Sequence, residues 1–208
     1  MRTLVIDSAT EACSAALFDQ SGLVAGDYDL IGRGHAERLV PMVAALPDKG
    51  RADRILISLG PGSFTGVRIG LAAARALGLA WGAEVLGYPT LALIAAMARA
   101  QHLGPVTVCM TGGHGEWFIQ DFDAEGLPEG NVRSLPPADA AREARHQTVA
   151  GSQAEALKAL RTTIDGSPET IIVDILPDAR RHALLPQALL TPDLSPLYGR
   201  PPDARLPA

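Results

Sequence analysis

Three strand-like runs joined by short turns, a strict alternation of helix and strand after them, and a second strand-led block beyond residue 101 together predict an α/β fold. The order is that of an actin-like (ASKHA, RNase H-like) two-lobed architecture with mixed sheets flanked by helices. Residues 2–7, 12–18 and 22–29 form the opening strands, with Asp19-Gln20-Ser21-Gly22 supplying the turn between the second and third. A helix follows from His35 to Leu46, entered through Gly32-Arg33-Gly34, with Leu39, Met42, Val43 and Leu46 at three- and four-residue intervals. Arg54–Leu59 reads as a buried strand. Residues 65–81 read as a helix with Leu71, Ala74, Leu77 and Gly78 in phase, 84–88 as a strand and 90–101 as a helix.

Gln101-His102-Leu103-Gly104-Pro105 closes a first lobe of residues 1–101. The second lobe, residues 105–190, opens on Val106–Met110. It continues with a strand pair around Glu116 to Phe122, a helix near Ala138 to Arg145, a strand at Thr148–Ala150, a helix at 152–161, a strand at Thr170–Ile175 and a last helix near 177–190. Residues 191–208 are a proline-rich tail that favours extended backbone, suited to strapping a lobe or docking on a partner. No short-period repeat is visible.

With 208 residues, 47% of them hydrophobic and 20% charged, the chain has the means to build two modest cores. The apolar windows Leu71–Trp81 and Thr90–Ala98 are too short for a bilayer and the first carries Arg75, so no membrane span is expected. Met1-Arg2 runs directly into Thr3–Asp7, which leaves no room for a signal peptide. With only two cysteines, Cys13 and Cys109, this predicts a cytoplasmic protein with both thiols buried. The net charge of −5 argues against a broad sequence-independent grip on nucleic acid. His35, His102, His114, His146 and His182 show no close metal-ligand spacing, so no metal site is expected.

The densest cluster of special residues is Gly60-Pro61-Gly62-Ser63-Phe64-Thr65-Gly66-Val67-Arg68, a strand-to-helix turn. Such a turn is expected to aim free backbone N–H groups at an anion, a nucleotide or a partner's backbone. It is not a Walker loop, because Val67 rather than lysine follows Gly66, and Thr65 stands where a dinucleotide fingerprint needs its last glycine. Gly60, Gly62 and Ser63, with Asp7 and Ser8 at the end of the first strand, form the candidate nucleotide-facing turn. The plain structural alternatives are a tight helix–strand junction and a hairpin turn satisfied by Asp7 and Ser8.

The stretches Leu4–Ser14, Arg33–Met42, Gly60–Gly70 and Tyr198–Ala204 resemble the bacterial TsaB (YeaZ) family. The resemblance implies an actin-like fold and a place in the machinery that makes threonylcarbamoyladenosine at position 37 of tRNAs reading ANN codons. Its members are paralogues of the catalytic subunit TsaD and pair with it and with the ATPase TsaE. TsaD-like chains carry two metal-binding histidines after the corresponding helix, where this chain has Thr90 and Ile94. Neither residue replaces an imidazole. The resemblance therefore implies a non-catalytic scaffold subunit that organises TsaD, contacts tRNA only through the complex and binds no cofactor by itself. ATP or ADP at the junction with the partner is the candidate shared ligand. The chain departs from the family pattern in a short Leu46–Asp53 link and in Thr111-Gly112-Gly113-His114-Gly115-Glu116, where only Gly115 and Glu116 match.

Both first-lobe helices are apolar more than halfway round, which calls for a second buried face, within the other lobe or against another subunit. Family members pair through these helices, with TsaD or with themselves when TsaD is absent. The faces bearing Leu39, Met42, Val43, Leu71 and Arg75 are the expected interface. The competing function is an independent actin-like ATPase or small-molecule kinase, for which Thr111–Gly115 is the one candidate second phosphate turn.

Overall fold

A computed structural model describes residues 1–165 and 169–199. The first sheet is built from β1 (Thr3–Asp7), β2 (Ala12–Asp19), β3 (Gly22–Leu30), β4 (Arg54–Ser58) and β5 (Glu84–Tyr88), in the order β3-β2-β1-β4-β5. The β1–β2 and β2–β3 pairs are antiparallel, whereas β1–β4 and β4–β5 are parallel. The parallel connections run through α1 (His35–Ala45) and α2 (Phe64–Trp81). Leu46 is extended ahead of Pro47, as a residue before proline tends to be, and this ends α1. Ser63 caps the start of α2, and Gly82 takes the left-handed conformation that stops it.

Alternation along the strands produces two different faces. Leu4, Ile6, Leu17, Ile55 and Ile57 pack under α1 and α2, while Val5, Ala16, Leu56 and Tyr88 face the other way. On that second side lies α3 (Thr90–Arg99), buried at Thr90 through Ala96 and again at Ala98. Beyond α3 comes the second sheet, from β6 (Val106–Thr111), β7 (Trp117–Phe122), β8 (Arg133–Leu135), β9 (Thr148–Ala150) and β10 (Ile171–Val173). Its outer face carries α4 (Pro137–Glu143) and α5 (Ala154–Asp165) over Cys109, Ile119 and Val149. The inner faces of the two sheets share one continuous apolar core with α3.

The second sheet runs β10-β9-β6-β7-β8, which repeats the topology of the first element for element. This duplication leaves no trace as a short-period sequence repeat. The strand pair expected around Glu116 to Phe122 is instead β7 paired with β6, and β8 closes the meander. The helix expected near 177–190 does not form. Two short 3-10 turns, Ala179–Leu184 and Gln187–Leu189, take its place. Leu185 is extended before Pro186, whose ring and missing N–H bar a continuous helix. Among the described residues, no helix is long and apolar enough to cross a membrane.

Candidate functional site

The glycine-rich turn closes against the first hairpin. Ser63 donates its N–H to the Ala9 carbonyl at 2.6 Å and accepts from the Gly66 N–H through Oγ at 3.2 Å. Ser8 Oγ donates to the Gly66 carbonyl at 2.9 Å. A Cβ at Gly62 would stand 1.9 Å from the Ala9 oxygen, and one at Gly66 2.1 Å from the Ser8 oxygen. These glycines are required because two backbones touch. The turn was expected to aim free backbone N–H groups outward, and those of Ser63 and Gly66 are instead committed internally.

Asp7 is buried at the end of β1, where its Oδ1 accepts from the Ala9 N–H at 3.0 Å and its Oδ2 from the Tyr88 hydroxyl at 3.0 Å. Burial pushes its carboxyl up to about 6 despite these donors. Tyr88, which sequence reasoning passed over, is thus the principal side-chain partner of the acid. It arrives at the end of β5, and its ring also lies 6.1 Å from that of His182. His182 is buried with Nδ1 unpartnered, and burial pulls its imidazole down to about 4.

Thr90 and Ile94 are both fully buried on α3, and the Thr90 hydroxyl lies 2.5 Å from Ser58 Oγ. Among the described residues, no three His, Cys, Asp or Glu side chains gather as a metal group. His35 enters α1 with Nε2 2.8 Å from the Thr10 carbonyl, so it pins the hairpin turn to the helix.

The residues expected at the partner interface divide. Leu39, Met42, Val43 and Leu71 lie in the first lobe's own core, at most 5% exposed, because they face the sheet. A partner meeting these helices meets other side chains. Arg75 is exposed and donates to the Leu194 carbonyl at 3.2 Å. The outward stripe consists of Ala36, Val40 and Ala44 on α1 with Ala72, Ala76 and Leu79 on α2. Val40 is 63% and Leu79 88% exposed. The signal was in the sequence, since these residues recur in helical phase one face away from the core positions.

Between the lobes lies a cleft of about 680 Å³ bordered by Thr10, Phe64, Arg68, Met110, Phe118 and Tyr198, among others. The Arg68 guanidinium stacks 3.3 Å from the Phe64 ring centroid and donates to the Tyr198 hydroxyl at 3.0 Å. The tail therefore reaches the cleft through Tyr198. The part of the expected tail from Arg200 onward lies outside the described residues.

A relative from Mycobacterium tuberculosis, itself uncharacterised, is 30% identical over 217 residues, 97% of this chain and 93% of that protein. The protein TsaB of Escherichia coli, named for tRNA threonylcarbamoyladenosine biosynthesis, is 45% identical over 140 residues. YeaZ from Pseudomonas aeruginosa superimposes with a TM-score of 0.76 at 25% identity, covering 95% of this chain and 99% of that one. The chain belongs to the TsaB/YeaZ family. The family model of TsaD, the tRNA N6-adenosine threonylcarbamoyltransferase, also matches residues 29–128, the region that holds α1, α2 and α3. The alignment to the E. coli TsaB spans 62% of this chain and 59% of that protein.

Proposed function

We propose that this TsaB/YeaZ chain is a non-catalytic subunit that binds TsaD and organises it for transfer of threonylcarbamoyl to adenosine 37 of tRNAs reading ANN codons. The observation that carries the reading is the second apolar face of α1 and α2. Ala36, Val40, Ala44, Ala72, Ala76 and Leu79 stand outward on adjacent helices and have no cover among the described residues. Small side chains at helical spacing let another helix pair approach closely, and Val40 and Leu79 supply the apolar anchors. A TsaD subunit would dock there, and a second copy of this chain would use the same face when TsaD is absent. TsaE and tRNA would join through the complex.

An adenine nucleotide, the proposed shared ligand, fits better at the junction with the partner than against Asp7 and Ser8. The side chains of both are already committed, to Ala9, Tyr88 and Gly66. The same commitments weigh against the independent ATPase or kinase. The deciding experiment is reconstitution of tRNA modification from TsaD, TsaE, a threonylcarbamoyl donor and tRNA, with and without this chain. Modification that depends on the chain, with no ATP turnover by the chain alone, is the expected result. Robust ATP hydrolysis by the isolated chain would overturn it.

A further inference from the structure

The inter-lobe cleft has one wall that is attached differently from the rest. The lobes themselves are joined by a continuous apolar core in which α3 is buried on nearly every side. Domains joined by a large apolar interface do not hinge readily. The segment that follows Thr191 is anchored more lightly, with Leu194 partly buried against the first-lobe core. It leaves the bridge between Thr191 and Gly87 at the edge of the first sheet and runs beside α2 with neither helix nor strand. Beyond the Leu194 side chain, isolated hydrogen bonds hold it to the first lobe: Arg75 to the Leu194 carbonyl at 3.2 Å, the Leu197 N–H to the Leu59 carbonyl at 2.8 Å, and Arg68 to the Tyr198 hydroxyl at 3.0 Å. Both arginine contacts are exposed to water.

Its end reaches the other lobe. A Cβ at Gly199 would lie 2.5 Å from the Phe118 ring, so the backbone rests directly on β7. A Cβ at Gly60 would lie 3.0 Å from the Leu197 oxygen, which places the glycine turn in contact with the same segment. Pro196, Leu197, Tyr198 and Gly199 thereby form a side of the cleft.

We propose that Asp193–Gly199 is a displaceable strap across the inter-lobe cleft, and that displacement of this strap, with the lobes held fixed, is how the cleft opens. Arg68 is its main catch, because one guanidinium stacks on Phe64 and also holds Tyr198. Displacement uncovers the Phe118 ring beneath Gly199 and leaves the α3 core intact.

Hydrogen–deuterium exchange on the full chain tests this, comparing wild type with Arg68→Ala and with Tyr198→Phe, which removes only the hydroxyl. The Leu197 amide should exchange about tenfold faster in Arg68→Ala, as expected for loss of a contact of this kind, and less so in Tyr198→Phe. The amides of Leu91–Ala98 should keep their wild-type protection. The apolar probe 8-anilinonaphthalene-1-sulfonate should bind Arg68→Ala more strongly than wild type. An unchanged Leu197 amide in both variants overturns the strap. A rise in α3 exchange in step with Leu197 overturns it in favour of lobe opening, and faster Leu197 exchange without added probe binding removes its role in closing the cleft.

Discussion

The Tyr88 hydroxyl donates to Asp7 Oδ2 at 3.0 Å, joining the ends of β5 and β1, and the same phenol ring lies 6.1 Å from the His182 ring. Tyr88 thus stands between two buried groups whose titrations oppose each other. Asp7 is raised from 3.8 to about 6 by burial, so the folded chain holds its proton more tightly than the unfolded one. Its contribution to stability is present below about pH 4 and is lost as pH rises to about 6. His182 is lowered from 6.5 to about 4 by burial, so its contribution is present above about pH 6.5 and is lost as pH falls towards 4. Each swing is on the order of 3 kcal/mol at most. In wild type the two slopes largely cancel between pH 4 and 6. Asp7→Asn should unmask the histidine slope, giving a urea midpoint that rises with pH across that window. A midpoint in Asp7→Asn as flat as wild type would refute the assignment.

Gly62→Ala and Gly66→Ala should each destabilise by roughly 2 kcal/mol or more, because the added carbon meets a backbone oxygen that has no route of retreat. Gly113→Ala is the control, since a Cβ there meets nothing within 4 Å. Denaturant unfolding of the three variants provides the comparison. Equal midpoints for all three would show that the turn is not a close backbone contact.

Leu79→Glu and Val40→Arg should abolish co-purification with TsaD while leaving the circular dichroism spectrum and unfolding midpoint close to wild type. Leu39→Ala should do the reverse. Its core side chain is fully buried, and its loss should cost about 2–5 kcal/mol without a direct effect on an interface. Normal complex formation by Leu79→Glu and Val40→Arg together would place the partner elsewhere.

Burial pushes the Cys13 thiol up to about 11 and the Cys109 thiol to about 12. The thiolate is the reactive form. Neither cysteine should react with a disulfide reagent in the native protein at pH 8, and both should react at once in denaturant. A thiol that titrates rapidly under native conditions would contradict the burial of β2 or β6.

Ser63→Ala removes the side-chain acceptor for the Gly66 N–H and should lower stability by about 1 kcal/mol. Ser63→Asp should restore much of it. Thermal unfolding of the pair measures the cap directly.

Local periodicity and turn chemistry determined much by themselves. The meander, the two first-lobe helices, the buried cysteines and the helix-entry role of His35 follow from alternation, three- and four-residue spacing and glycine placement, all of which act within a few residues. The run from Gly60 to Arg68 was equally visible as a special turn. What its glycines are for was not, because Ala9 and Ser8, whose carbonyls they approach, lie more than fifty residues away in sequence. The same holds for Tyr88 on Asp7, for the cleft that Tyr198 reaches, and for the repeated topology of the two sheets, which is a property of strand pairing and not of residue identity. Helical periodicity announced that α1 and α2 have two apolar faces. Only the packing of the sheet decided which one is core, so Leu39, Met42, Val43 and Leu71 went inward and Val40 and Leu79 were left exposed.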